Sequence, residues 1–190
     1  MNATNLEREV KLRFDSPASA RRAVAGMGAV PHAERRLQED TLFDTEDGSL
    51  RRLRSLLRVR GDGRRSWLTF KGPVQPGPMK LREEIETEVG DGALVRLVLE
   101  RLGYRAWFRY QKHREEYVTG NLVVAIDETP IGTFVELEGS ESAIAAAAVV
   151  LGRGPGDYIL DSYHALFQKH REALGFSGAD MVFDDPGRMG

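Results

Sequence analysis

"NLEREVKLRF", residues 5–14, is the stretch on which the reading of the fold turns. Glu7, Glu9, Lys11 and Arg13 occupy every second position, while Leu6, Val10, Leu12 and Phe14 fill most of the gaps. On a β-strand successive side chains leave opposite faces. One face of this strand is therefore apolar and the other carries two acids and two bases. Taken alone, such a face is explained by solvent and cross-strand ion pairs. If it is shared with other strands, it collects acids for a metal and bases for an anion.

The same parity recurs along the chain. It holds in Arg58 and Arg60, in Arg82, Glu84, Glu86 and Glu88, in Lys112 and Arg114, and in Glu136 and Glu138. The opposite parity holds Val10, Leu12, Phe14, Leu57, Val59, Leu81, Ile85, Val135 and Leu137. Strands are expected at "RRLQEDTLFDT", through "SLRRLRSLLRVRGDG" after an "EDG" turn, at 65–71, at 80–89, and three times between 105 and 138. Helices are expected at 17–27, behind an Asp15 or Ser16 cap and Pro17, and at 91–102. Two more are expected at "SESAIAAAAVVLG" and at "DSYHALFQKHREALG", the last ending at Gly175. "GPVQPGP" at 72–78 is a loop. About eight strands with interspersed helices predict an α+β protein built on a closed antiparallel β-barrel. The apolar faces must then be covered by the helices. Two geometries remain: charges outside and helices within, or a charged bore with helices around it. With no second sheet available, the charged bore is favoured. Charges confined in a bore must pair, hold water or bind ions.

The chain of 190 residues is 41% apolar and 29% charged, with a net charge of -2. That suits one domain with a real core, expected over residues 1–176, followed by a mobile tail at 177–190. There is no basic excess to argue for nucleic acid or an anionic membrane. Cysteine is absent, which excludes disulfides, thiolate metal sites and cysteine nucleophiles. No apolar leader begins the sequence, and "AIAAAAVVLG" is too short to span a bilayer. A cytoplasmic location follows by elimination.

The candidate acids are Glu7, Glu9, Glu84, Glu86, Asp127, Glu136 and Glu138. Carboxylates without thiolate or paired histidine ligands suit Mg²⁺ or Mn²⁺ rather than zinc. The candidate bases are Lys11, Arg58, Arg60, Lys71, Arg82, Lys112 and Arg114, with Arg109 a further one. Several arginines and lysines in one cavity suit an extended polyanion. Acids for a metal with bases for phosphate are the components of phosphoryl-transfer chemistry. No Walker motif, dinucleotide fingerprint or G-x-S-x-G is present. The four histidines show no ligand spacing. Trp67, Phe70, Trp107 and Phe108 are candidates for stacking on a ligand, although packing explains each of them.

The order of E-x-E-x-K at Glu7–Lys11, "LQEDTLFDT", "LLRVR", "LTFKGP", "LREEIETEV", "YQKHREEY", "VAIDETPIGTFVELEG" and "DSYHALF" resembles the CYTH domain, also called the triphosphate tunnel metalloenzyme family. The resemblance covers about residues 5–170. It implies an eight-stranded antiparallel barrel whose tunnel is lined by charge, with helices outside. Glu7, Glu9 and Lys11 would form the catalytic motif, with both glutamates on the metal. Lys11, Arg58, Arg60, Lys71, Arg82, Lys112 and Arg114 would bind the triphosphate. Glu84, Glu86, Asp127, Glu136 and Glu138 would complete the metal set. Tyr163 matches a common family position to which no role is assigned. The family includes tripolyphosphatases, thiamine triphosphatases and class IV adenylate cyclases. The expected activity is metal-dependent hydrolysis of a triphosphate, inorganic tripolyphosphate first. Cyclisation of ATP and non-catalytic polyphosphate binding are the alternatives. The expected partner is a triphosphate-containing small molecule, with neither nucleic acid nor membrane, and a homodimer is the assembly to test.

Overall fold

In the computed structural model, which describes residues 6–184, eight antiparallel strands form a closed ring with helices outside it. The strands are β1 (Leu6–Phe14), β2 (Val30–Thr45), β3 (Leu56–Gly61), β4 (Ser66–Lys71), β5 (Lys80–Val89), β6 (Tyr104–Thr119), β7 (Leu122–Thr129) and β8 (Gly132–Glu138). Around the ring they run β1-β5-β4-β3-β2-β6-β7-β8, and β8 pairs with β1. The helices are α1 (Pro17–Gly26), α2 (Ser49–Arg52), α3 (Gly92–Arg101), α4 (Glu141–Val150) and α5 (Tyr163–His170).

The caps are local in origin. Ser16 and Ser19 form a reciprocal box before α1, with Pro17 at its first turn. The Asp91 side chain accepts from Ala93 N and Leu94 N, and Ser140 and Ser162 cap α4 and α5. The apolar parity of β1 and β8 then finds its cover. Val10, Leu12, Val135 and Leu137 pack with Ala20 and Val24 of α1 and with Ile144, Ala147 and Ala148 of α4. α3 closes over Val59 and Phe43 through Leu99. α5 packs Leu166 and Phe167 against Leu42, Phe108 and Phe134.

Four expectations need correction. Ile85, expected under a helix, is 56% exposed, because α1 and α4 lie over β1 and β8 and α3 lies over β3, β4 and β6. The run from Ser49 is not all strand. The Asp44 carboxylate accepts from Leu50 N and Arg51 N, so residues 49–52 wind into α2 and β3 begins only at Leu56. α5 stops at His170, short of Gly175. Part of the tail expected to be mobile is fastened. Met181 is fully buried and exchanges backbone hydrogen bonds with Arg109 and Gln111 of β6. Residues 185–190 of that tail lie outside the described residues.

Candidate active site

The charged parity faces inward. All of the site residues predicted from the sequence except Asp127 and Arg109, which pairs with Asp180, line one cavity of about 690 Å³. Arg13 and Glu88 share the parity but do not line it.

Strand register explains how the charges meet. Residues directly opposite on one face of an antiparallel pair have adjacent side chains. Glu7 opposes Arg82 and Glu9 opposes Lys80, and the pairs close at 3.2 Å and 2.7 Å. Lys11 opposes Glu136 at 3.2 Å, and Lys71 opposes Glu84 at 3.0 Å. Asp40 opposes Arg60 at 2.8 Å, and Arg114 opposes Asp127, its Nε donating at 2.7 Å. Further contacts run along β1 or reach over an intervening strand. Lys71 donates to both oxygens of Glu7 at 2.8 Å, Lys11 donates to Glu9 at 2.9 Å, and Arg58 reaches Glu86 at 3.2 Å. Arg114 also contacts Glu136.

Two opposed pairs break the rule of opposite signs: Arg36 of β2 faces Arg114 of β6, and two acids face each other. Glu9 of β1 faces Glu138 of β8. Glu138 is open to solvent yet sits in a crowded, acidic recess. Partial desolvation first, then the charges of Glu7, Glu9 and Glu84, push its carboxyl up to about 7. Burial also raises Glu84, with Glu7 adding to it and Lys71 opposing. Against their burial, Lys71 and Arg82 hold Glu7 below the ordinary carboxylate range and Lys11 and Lys80 do the same for Glu9, so Glu84 and Glu138 are the acids whose surroundings call for a cation. The donors are oxygens alone, which is the donor chemistry of Mg²⁺ or Mn²⁺. Among the described residues no three acid or imidazole side chains already converge at ligating geometry, because Lys71, Lys80 and Arg82 stand among the acids.

The cations of the same bore are suited to an anion. Burial opposes the ammonium of Lys11, but Glu136 and Glu9 outweigh it and hold the group charged. Lys80 and Lys112 are both pushed down to about 8, by burial first and then by neighbouring cations. Arg58 Nε is buried beside the Asp40 carboxylate, 3.4 Å from its Oδ1.

Asp127, expected in the metal set, does not line the cavity. It is fully buried, and its oxygens accept from Lys112 at 2.9 Å, from both Nε and an Nη of Arg114, and from the Tyr163 hydroxyl at 2.6 Å. It positions two bases. Tyr163 thereby gains a role as well: it holds Asp127 while Lys11 and Lys112 lie 5.3 Å and 5.1 Å over its ring. Asp40 and Lys80 were missed by the sequence reading. Lys80 continues the parity of Arg82 and Glu84 and was legible there. Asp40 becomes visible only through its register with Arg60.

The profile of the CYTH domain matches residues 5–151, and the chain belongs to this family. A Methanocaldococcus jannaschii protein is 30% identical over 140 residues, covering 73% of this chain and 79% of its own, and its name proposes adenylate cyclase activity. A solved Pyrococcus horikoshii protein superposes with a TM-score of 0.70 at 25% identity, over 83% of this chain and 96% of its own. A Hippeastrum protein shares the fold at a TM-score of 0.64 and 23% identity, over 86% of this chain and 95% of its own. It is described as a candidate adenylyl cyclase with a dominant triphosphatase activity.

Proposed function

We propose that the protein is a divalent-metal-dependent hydrolase of triphosphate-containing substrates, with inorganic tripolyphosphate as the first substrate. The observation that carries this reading is the meeting of acids and buried cations in one cavity, in which burial and neighbouring acids push Glu84 and Glu138 up. Glu7, Glu9, Glu84 and Glu138 would hold the metal, with Glu86 and Glu136 along the same wall. Lys11, Arg58, Arg60, Lys71, Arg82, Lys112 and Arg114 would hold the phosphates. A bound divalent ion supplies charge neutralisation on phosphate oxygens and acidifies water. The chain's own residues do the rest. The arginines bind phosphate oxygens through forked N–H donors. Lys11 stays protonated and so stabilises charge rather than removing a proton. Loading the site exchanges internal ion pairs for ligand contacts: an anion takes Lys71 and Arg82 from Glu7, which frees that carboxylate for the metal.

Incubation with tripolyphosphate or ATP, with Mg²⁺ or Mn²⁺, tests the reading. Orthophosphate with pyrophosphate from tripolyphosphate is the expected result. Cyclic AMP from ATP would replace it with a cyclase. Binding without turnover under any divalent ion would leave a polyphosphate-binding module. Glu7→Gln combined with Glu9→Gln is expected to lower kcat at least a hundredfold while retaining anion binding.

A further inference from the structure

The cavity wall does not end at the phosphate-binding bases. It continues to a solvent-exposed lip where α2 and the N-terminus of α5 approach β6, and this lip is aromatic as well as basic. Three observations converge there.

The first is a bulge. Leu42 pairs with Phe108, but Phe43 pairs with Ala106, so Trp107 is an extra residue between two rungs of the ladder. By alternation Trp107 would face away from the bore. The bulge turns it onto the cavity wall, a known use of bulges beside functional sites.

The second is a stack. The Arg51 guanidinium lies 4.7 Å over the Trp107 ring, and His164 meets that ring edge-on at 4.8 Å. Half of the Arg51 side chain faces solvent, so the guanidinium keeps an open side. Its orientation is set in advance. Asp44, only 1% exposed, accepts from Arg51 Nε at 2.8 Å and from Arg51 N, and so holds both ends of the residue.

The third is position. His164 follows Tyr163 in α5, and Tyr163 reaches Asp127 and lies under Lys11 and Lys112. The stack is therefore one residue removed from the cations that face the phosphates. Arg54, beside it on the wall, is the one non-glycine residue among those described with a left-handed backbone, φ 56°. Such strain is commonly held at ligand-binding segments.

We infer that Trp107, Arg51 and His164 form a platform for a planar aromatic group attached to the triphosphate. The ring lies on the open face of the Arg51 guanidinium, continuing the stack that Trp107 begins. Arginine planes and indoles take heteroaromatic rings in this way without reading their edges. The inference rests on the triphosphate reading and extends it: the bore sets phosphate recognition for inorganic tripolyphosphate, and the lip adds a contact that only a triphosphate carrying a planar ring can use.

The test compares kcat/KM for ATP with kcat/KM for tripolyphosphate. In Trp107→Leu this ratio is expected to fall roughly tenfold, and in Trp107→Phe, which keeps a π-face, to recover most of it. An unchanged ratio in Trp107→Leu overturns the platform. So does an equal ratio in the Leu and Phe variants, since loss of packing alone would produce it. If the wild type turns over neither compound with Mg²⁺ or Mn²⁺, the hydrolase reading fails by itself. The platform is then read by calorimetric binding of ATP and tripolyphosphate, where the same loss of ATP preference supports it and its absence sinks it. A preference shifted toward longer inorganic polyphosphates instead would make Arg51 and Arg54 a phosphate-chain extension and would also overturn it.

Discussion

Tyr163 and Asp127 show how much one side chain's partners decide. An aspartate in a run of acids reads as a metal ligand until its neighbours are known. Here each of its oxygens is taken by buried donors. Burial and the adjacent Asp127 charge hold the Tyr163 hydroxyl well above its ordinary pKa, so it remains a donor. Tyr163→Phe removes one hydrogen bond to a buried carboxylate and leaves the Lys112 and Arg114 pairs in place. The expected loss is about 1.5 kcal/mol of stability, measured by denaturant unfolding at constant m. A stability equal to the wild type's would mean that Asp127 does not need its third donor. Glu138 is the complementary case: its register with Glu9 could not be read from β8 alone, and that register makes it the acid most in need of a cation.

At the scale of elements, alternation was sufficient to find the strands, and capping residues were sufficient to find the helices. The failures fall where a side-chain capture or a bulge breaks the period-two pattern. α2 exists because Asp44 captures the amides of Leu50 and Arg51, and the bulge at Trp107 is invisible to a period-two reading. The docking of α3 rests on a close approach. A Cβ built on Gly92 would lie 2.9 Å from the Ser66 Cβ and 2.6 Å from its hydroxyl. Gly92→Ala is therefore expected to push α3 from β4 and to cost about 1–3 kcal/mol, despite alanine's better helix propensity. Thermal unfolding measures it. A higher Tm would show that α3 yields without strain.

At the scale of the whole molecule, the closed ring places cations from several strands in one low-dielectric space. Lys80 and Lys112 answer by titrating near 8 instead of at the ordinary 10.5. Between about 8 and 10.5 the folded protein has released protons that the unfolded chain retains, so stability from these groups rises with pH across that window and is flat below it. Anion binding runs the other way, because it requires the charged lysines. Tripolyphosphate affinity in metal-free protein is expected to fall from pH 7 to pH 10, with proton uptake on binding near pH 8.5. Calorimetry in buffers of different ionisation enthalpy measures the uptake. Lys112→Arg should remove its share, since arginine stays charged. A flat affinity across that range would place both lysines outside the phosphate path. The chain's periodic charges by themselves determined the strands, the shared charged face and the acids and bases that line it, because alternation and residue chemistry are local properties. Which acid meets which base, that Asp127 is tied to Lys112, Arg114 and Tyr163, and that a tryptophan turns into the lip were decided only by tertiary structure, because register, ring closure and a single bulged residue depend on strands distant in sequence.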